Sequence, residues 1–310
     1  MNSLMVLGNG FDLAHGIASS YSDFYQFWQQ ENPDSEVSSS LQASQQSQWQ
    51  NFEADLASID LQSHVGATEE IEDPDLFEEA LEARQNEVAN WASDAANQLQ
   101  RMFSQWVKAI DISRAKPQPL FADLLKRATW VLTFNYTDTV EKVYHLAPRK
   151  VFHIHGQGRA GGELIFGCAL PKAPLPHAGG DNQVSAAART EGRRQLVHAL
   201  VKPLQVGQLQ YEGETRGTTR LDEVNSVGFS FSEVDQPYVN ELATWCDEST
   251  VWTHFCRDQG SVDAFYEAMQ KAQFPGCLQV RKRRNQHDST TLTDQSTEVR
   301  PLDPEPPAVD

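Results

Sequence analysis

Residues Leu4–Ile17 read LMVLGNGFDLAHGI, and the architecture can be worked out from this segment. Its first four residues are apolar and predict a buried strand near the start of the sequence. A glycine turn follows, and we expect the next helix over Tyr21–Gln30. Glycine lets the backbone approach a ligand closely, and the first turn of a helix offers N–H groups to phosphate. The segment therefore predicts a strand, a nucleotide-binding turn and a helix.

Further short apolar segments predict strands, and amphipathic segments that predict helices separate most of them. We expect strands at Trp130–Phe134, Lys150–Ile154, Leu164–Phe166, Val224–Phe229, Val251–Phe255 and Cys277–Val280. We expect helices at Leu120–Arg127, Thr139–Leu146, Ala186–Val201, Gln236–Cys246 and Val262–Ala272. Alternation of strands with helices is typical of α/β folds with a parallel sheet.

One long region breaks this alternation. Residues 24–112 contain no strand pattern, whereas apolar side chains recur there at helical spacing. They include Trp49, Phe52, Val88, Trp91, Ala95, Leu99, Met102, Phe103 and Trp106. We predict a helical insertion at 24–112 within a nucleotide-binding domain of residues 1–280. Because the insertion follows the glycine turn directly, we expect its movement to be felt at the site.

Three other segments have the composition of linkers, loops or tails. Ser35–Ser47 is rich in Ser and Gln and predicts a mobile linker. Ala169–Ala188 is rich in Pro, Gly and Ala and predicts a long loop of the kind that forms lids. Residues 281–310 begin with four basic residues and continue with Ser, Thr, Asp and Pro, which predicts a disordered tail.

Composition limits the class of protein. The chain has 310 residues, 25 basic and 43 acidic, for a net charge of −18, which disfavours direct contact with nucleic acid or an anionic membrane. Its four cysteines are scattered without a C-x-x-C pair, which argues against a disulfide framework or a cysteine zinc site. We find no signal peptide and no apolar run of membrane-spanning length, and we therefore expect a cytoplasmic protein.

Polar residues follow two of the predicted strands. Thr133 and Asn135 stand at the carboxyl end of one strand, where open parallel sheets bind ligands. An Asn amide there can orient a ribose hydroxyl or a water, although either residue could instead cap a helix. Gly228 and Ser230 stand at the end of a later strand. The nucleophile elbow of serine hydrolases has the pattern G-x-S-x-G, but here the fifth residue is Ser232 and not glycine. We therefore expect Gly228 and Ser230 to contact a nucleotide.

Two histidines mark the end of another strand. His153 and His155 are two residues apart, so on a strand both would point to one face. Such a pair could bind a metal, together with a carboxylate such as Asp12. His155 beside Gly156 also suits a general base in a tight turn. Each could equally be a structural histidine.

Taken in chain order, these motifs resemble those of two related groups of proteins. The sirtuin motifs are matched by Gly8-x-Gly10-x5-Gly16, Thr133-x-Asn135, His155-Gly156 and Gly228-x-Ser230. The chain resembles more closely the AbiH family of bacterial abortive-infection proteins, over about Met1–Ala272. The matching stretches are GNGFDLAHG at Gly8–Gly16, W-x-x-F-E at Trp49–Glu53, FNYT at Phe134–Thr137, HIHG at His153–Gly156 and G-F-S-x-x-x-x-D at Gly228–Asp235.

The resemblance implies a sirtuin-like Rossmann fold that binds NAD or a related nucleotide, and a role in phage defence. Defence relatives with sirtuin-like domains cleave NAD with an Asn and a His that match Asn135 and His155, the implied catalytic residues. The implied NAD-binding residues are Gly8, Asn9, Gly10, Phe11, Asp12, Gly16, Thr133, Asn135, His155, Gly228 and Ser230. No metal ligand is implied. The expected partners are the nucleotide, a second copy of the chain, another defence protein or a phage trigger.

Departures from the sirtuin pattern leave three functions open. Asp12 replaces a small residue, Thr137 replaces an acidic one, and the C-x-x-C pairs of the zinc module are absent, which argues against lysine deacetylation. The chain could be an NAD glycohydrolase that breaks the nicotinamide–ribose bond. It could instead sense a nucleotide without cleaving it, or be a metal-dependent hydrolase.

Overall fold

The computed structural model describes residues 1–32, 74–158, 161, 164–168, 183–282 and 298–300. Several sequence predictions fall outside these residues. They concern the Ser35–Ser47 linker, Trp49, Phe52, Glu53 and residues 169–182 of the predicted lid-like loop.

A seven-stranded sheet forms the centre of the first of two compact units. The strands are β1 Ser3–Leu7, β2 Trp130–Thr133, β3 Val151–His153, β4 Leu221–Val227, β5 Cys246–Cys256, β6 Cys277–Lys282 and β7 Glu298–Arg300. Their order is β3-β2-β1-β4-β5-β6-β7, and the first six are parallel whereas β7 is antiparallel to β6. The order 3-2-1-4-5-6 is that of doubly wound nucleotide-binding sheets. The predicted α/β parallel sheet is confirmed.

Strand β1 is central, with β2 on one side and β4 on the other. Its side chains alternate between two apolar cores. Leu4 and Val6 lie in one core, and Met5 and Leu7 lie in the core on the opposite face. All five residues of β1 are buried, because both faces of a parallel sheet are covered by its crossover connections.

The sheet unit comprises Met1–Ala18, Asp111–Glu163 and Leu204–Asp310. Its helices are α1 Asn9–Ala14, α4 Pro119–Arg127, α5 Thr139–Tyr144, α7 Val206–Thr215, α8 Gln236–Thr244 and α9 Gln259–Lys271. Helices α1 and α7 were not predicted. In particular, the helix after β1 begins at Asn9, inside the segment that we predicted as a turn.

Two predictions, the strand at Leu164–Phe166 and the disordered tail at 281–310, need correction. Residues Leu164–Phe166 are not a strand, and Cys168 forms only an isolated bridge with Val201. The ring of Phe166 stacks on Phe103 with ring centres 4.2 Å apart, so its apolar character reflects packing on a helix. In the predicted disordered tail, Arg281 and Lys282 belong to β6, and Glu298–Arg300 forms β7. The remainder of that tail lies outside the described residues.

The second unit comprises Ser19–Ile110 and Leu164–Pro203. Its helices are α2 Tyr21–Glu31, α3 Pro74–Ala109 and α6 Gln183–Ala199. Ser20 and Asp23 form a capping box that starts α2. Along α3 most of the apolar residues predicted at helical spacing are buried, including Val88, Leu99 and Phe103, whereas Trp91 is half-buried. None of the described helices combines the length and hydrophobicity that a membrane crossing requires.

Three glycines allow the turn after β1 to touch the turn after β4. The Gly8 N–H donates to Val227 O at 3.1 Å, and the Gly10 N–H donates to Gly228 O at 2.9 Å. A Cβ atom at Gly10 would lie 2.6 Å from Gly228 Cα, and one at Gly228 would lie 2.2 Å from Phe11 N. These glycines are therefore required by contact between two backbones.

We predict that Gly228→Ala lowers the free energy of unfolding by ~3 kcal/mol or more, because the substitution adds a clash to left-handed strain. Gly217→Ala is a matched control. Gly217 has φ +64° against +61° at Gly228, and a Cβ there would meet nothing within 4 Å. The control should lose only about 1–2 kcal/mol. Urea unfolding followed by circular dichroism measures both, and equal losses would show that the close contact is unimportant.

Candidate functional site

Three buried polar residues follow three adjacent strands at the carboxyl edge of the sheet. Asp12 lies on α1 directly after β1, Asn135 follows β2, and His155 follows β3. All three are buried, with exposed fractions of 1%, 6% and 2%. Ligands of doubly wound sheets bind at this edge, so these residues define the candidate site.

A chain of hydroxyl groups holds the Asp12 carboxylate. Thr137 Oγ1 donates to Asp12 Oδ2 at 2.6 Å. Since that proton is used, Thr139 Oγ1 donates in turn to Thr137 Oγ1 at 2.9 Å. The three residues are buried, and the two threonines lie at the start of α5. Neither Thr137 nor Thr139 was predicted as a site residue, although both stand in the polar run that begins at Thr133.

The second carboxylate oxygen of Asp12 has no hydrogen-bond partner in the part of the chain that the structure describes. Oδ1 is buried and makes no hydrogen bond to any described residue. Burial raises the pKa of Asp12 to about 6, while Thr137, Thr139, Asn135 and the charge of His153 lower it in part. A buried acceptor without a donor costs ~1–3 kcal/mol. Asp12 therefore lowers the stability of the folded protein when it is ionised.

Asn135 is held through its main chain, which leaves its amide oxygen unpaired. Its N–H donates to Thr133 Oγ1 at 3.1 Å, and its carbonyl accepts from His153 Nδ1 at 3.1 Å. Its side-chain Oδ1 is buried and has no hydrogen-bond partner among the described residues. The side chain of Thr133 therefore orders the turn, and the site contains two orphaned acceptors, one on Asp12 and one on Asn135.

His153 and His155 do not form a pair. His153 Nε2 lies 2.9 Å from Glu141 Oε1 on α5, and Gln157 Nε2 donates to the same oxygen at 3.3 Å. The prediction that both histidines point to one face is wrong, because β3 ends at His153 and the chain then turns at Gly156, where φ is +83°. Within the described ranges, no group of three or more His, Cys, Asp or Glu is arranged to hold a metal.

The ring of His155 is surrounded by aromatic side chains. It lies edge-on to Phe134 at 5.2 Å and to Tyr238 at 6.0 Å, and it stacks on Tyr136 at 6.1 Å. Tyr136 is the half-buried member of this group. Phe134 and Tyr136 follow β2 and Tyr238 lies on α8, so aromatic side chains from both parts of the chain fix the imidazole plane.

The N–H groups of Gly8, Gly10 and Phe11 in the predicted glycine loop are bonded within the protein. The N–H groups of Gly8 and Gly10 are used by Val227 and Gly228, and the Phe11 N–H donates to Gly8 O at 2.9 Å. The Phe11 side chain is wholly buried in the core that contains Met5 and Leu7. The remaining predicted residues Asn9, Gly16 and Ser230 are exposed, and Gly228 forms the contact described above.

Sequence reasoning missed Glu141, which supports the site from a distance. Its Oε1 accepts from Gln157 and faces His153, whose Nδ1 donates to the carbonyl of Asn135. The His153 ring therefore lies between two acceptors, the carbonyl of Asn135 and the carboxylate of Glu141. A Glu two residues after Thr139 in a helix carries no pattern that would single it out.

We predict that Asp12→Asn stabilises the protein at neutral pH. The folded state holds the Asp12 proton more tightly than the unfolded state does, so this group favours folding below about pH 4 and that contribution disappears as pH rises through about 6. The stability difference between Asp12→Asn and the parent should therefore grow from near zero at pH 4 to as much as ~3 kcal/mol above pH 7.

Comparing the variant with its parent cancels the other titrating groups. These include His254, whose pKa burial lowers to about 4 and which therefore destabilises the fold as pH falls. Urea unfolding at pH 4, 5, 6, 7 and 8 measures the difference. A difference that does not change with pH would show that Asp12 is not strained by burial.

Comparison with known proteins identifies the family. The model of the family described as bacteriophage abortive infection AbiH matches residues 4–256, which include every residue of the candidate site. A search of curated proteins and a search of solved structures each found no match. The family match covers most of the 310 residues. The chain belongs to the AbiH family of bacteriophage abortive-infection proteins.

Proposed function

We propose that this abortive-infection protein binds NAD or a related nucleotide at the carboxyl edge of its sheet and hydrolyses the nicotinamide–ribose bond. The observation that carries the proposal is the gathering of Asp12, Asn135 and His155 at the ends of three adjacent parallel strands. The strand order 3-2-1-4-5-6 adds support, since sheets of that order bind dinucleotides at this edge.

The residues suit the ribosyl part of such a ligand. Hydroxyl groups of a ribose are donors, and the two buried oxygens without partners, on Asp12 and Asn135, are acceptors. The aromatic ring of Tyr136 is half-buried beside His155 and offers a face for a planar ring. Phosphate contacts are assigned to no residue, because the N–H groups of Gly8, Gly10 and Phe11 are already bonded.

Hydrolysis of the nicotinamide–ribose bond requires mainly that the protein orient the ligand and stabilise the charge that develops. The bond between ribose C1′ and the ring nitrogen breaks with its electron pair going to nitrogen, so nicotinamide leaves neutral and positive charge develops on the ribose. A water oxygen then bonds to C1′ and its proton is lost, with His155 as the proposed acceptor. In this proposal Asn135 holds the ribose or the water, and fixed polar groups stabilise the developing charge.

The test is release of nicotinamide from NAD by purified protein, alone and with extract of phage-infected cells as a source of trigger. We expect Asn135→Ala to lower kcat/KM by ~10²–10³-fold and His155→Ala by ~10²–10⁴-fold. Asn240→Ala and His198→Ala are matched controls, because both side chains are exposed on helices outside the site. They should leave the rate unchanged.

The alternative function gives a different result in the same experiment. A nucleotide-sensing protein would bind NAD or ADP-ribose, raise its melting temperature, and return the ligand intact after hours. Absence of both nicotinamide release and any thermal shift, with and without infected-cell extract, would reject binding and hydrolysis together.

A further inference from the structure

Two buried oxygens at the site have no donor, and the rest of their residues are held in place. Asp12 Oδ1 and Asn135 Oδ1 are both inaccessible to solvent and without a hydrogen-bond partner among the described residues. The second oxygen of Asp12 is fixed by Thr137, and the main chain of Asn135 is fixed at both its N–H and its carbonyl. The fold therefore presents two acceptors in fixed orientations, and an ordered fold leaves few such atoms unpaired.

The charge of this pair decides which ligand group can meet it. Asp12 carries a negative charge once ionised, and both orphaned atoms only accept hydrogen bonds. A phosphate at neutral pH brings further acceptors and negative charge, so it does not suit this position. A hydroxyl group supplies a hydrogen-bond donor to these acceptors, and a positively charged ring beside it supplies a charge opposite to that of Asp12.

We propose that Asp12 is the residue that selects a cationic ribosyl ligand. Its Oδ1 accepts a hydrogen bond from a hydroxyl of the ribose attached to the positively charged nicotinamide ring, and its charge lies beside that ring. Asn135 Oδ1 accepts from the same ribose. The inference rests on the proposed function and adds to it the orientation of the ligand, with the cationic half at β1 and β2.

The same contact continues to act while the bond breaks. The electron pair of the C1′–N bond moves to the ring nitrogen, and the positive charge moves from the ring to the ribose. Both positions lie next to Asp12 in this orientation, so attraction to the carboxylate persists through the step and no proton is transferred to or from Asp12.

Calorimetric titration with two stable ligands tests the proposal. Carba-NAD⁺ has a carbocycle in place of the nicotinamide ribose ring, so it keeps the cationic ring and the hydroxyls but is not cleaved. ADP-ribose keeps the hydroxyls and lacks the cation. We expect Asp12→Asn to weaken carba-NAD⁺ binding about 10- to 100-fold and ADP-ribose binding several-fold less, because only the first ligand loses a charge–charge contact. Asp123→Asn, at an exposed position on α4, should change neither.

The parent protein supplies a second readout that needs no variant. Its preference for carba-NAD⁺ over ADP-ribose should increase about tenfold as pH rises from 5 to 7, since Asp12 ionises in that range. The charged groups that face this carboxylate are His153 and, behind it, Glu141. The Asp12→Asn variant retains both, so a flat profile in that variant assigns the change to Asp12.

The outcomes separate this inference from the proposed function. Failure of the parent to bind either ligand rejects the proposed function. Binding of both ligands by the parent, with a preference for carba-NAD⁺ that is independent of pH and survives in Asp12→Asn, rejects the role of Asp12 alone. Should Asp12→Asn fail to fold, a preference of the parent for carba-NAD⁺ that is independent of pH still rejects the role of Asp12.

Discussion

The close approach of two turns organises this protein. The turn after β1 and the turn after β4 touch through Gly8, Gly10 and Gly228, with backbone atoms in direct contact. Neighbouring strands β1 and β4 run parallel into this contact, and two main-chain hydrogen bonds close it. Any side chain at Gly10 or Gly228 would push the turns apart, and α1, which carries Asp12, would shift with them. The position of the buried carboxylate thus depends on three residues that have no side chain.

The same contact changes the meaning of a familiar pattern. A glycine-rich turn between a strand and a helix commonly leaves N–H groups for a phosphate. In this protein the N–H groups of Gly8 and Gly10 are satisfied by the neighbouring turn. The polar groups at this edge of the sheet are instead the side chains of Asp12, Asn135 and His155, which follow β1, β2 and β3. The site is therefore acidic and rich in acceptors, which is the basis for the proposed contacts to the sugar and the cationic ring of a nucleotide.

Structural roles explain several of the other polar residues in the motifs. His15 donates from Nδ1 to the carbonyl of Phe11 and accepts at Nε2 from Tyr144, so it joins the end of α1 to the end of α5. His153 connects the turn at Asn135 to Glu141. Asp12 is different, because its burial disfavours the ionised carboxylate more than its hydrogen bonds offset, and Oδ1 has no partner among the described residues. Unfavourable polar burial of this kind is common at functional sites.

Local patterns were enough to predict the parallel sheet, most strand positions and the long helix α3. Strands buried on both faces are continuous apolar runs, and a helix repeats its buried side chains every three or four residues. The same patterns placed Asn135 and His155 at strand ends. They misplaced the first helix, which starts at Asn9, and Leu164–Phe166, where apolar side chains pack on a helix.

The roles of the site residues depended on contacts between distant parts of the chain. Asp12 and Thr137 are 125 positions apart, and His153 turns away from His155 only because β3 ends between them. Gly8 and Gly10 are required because their backbone contacts Gly228, which lies more than two hundred residues away in the sequence. Hydrogen bonds and steric contacts of this range leave no periodic trace in a sequence, so the strand ends were predictable whereas the partners of each side chain required the tertiary structure.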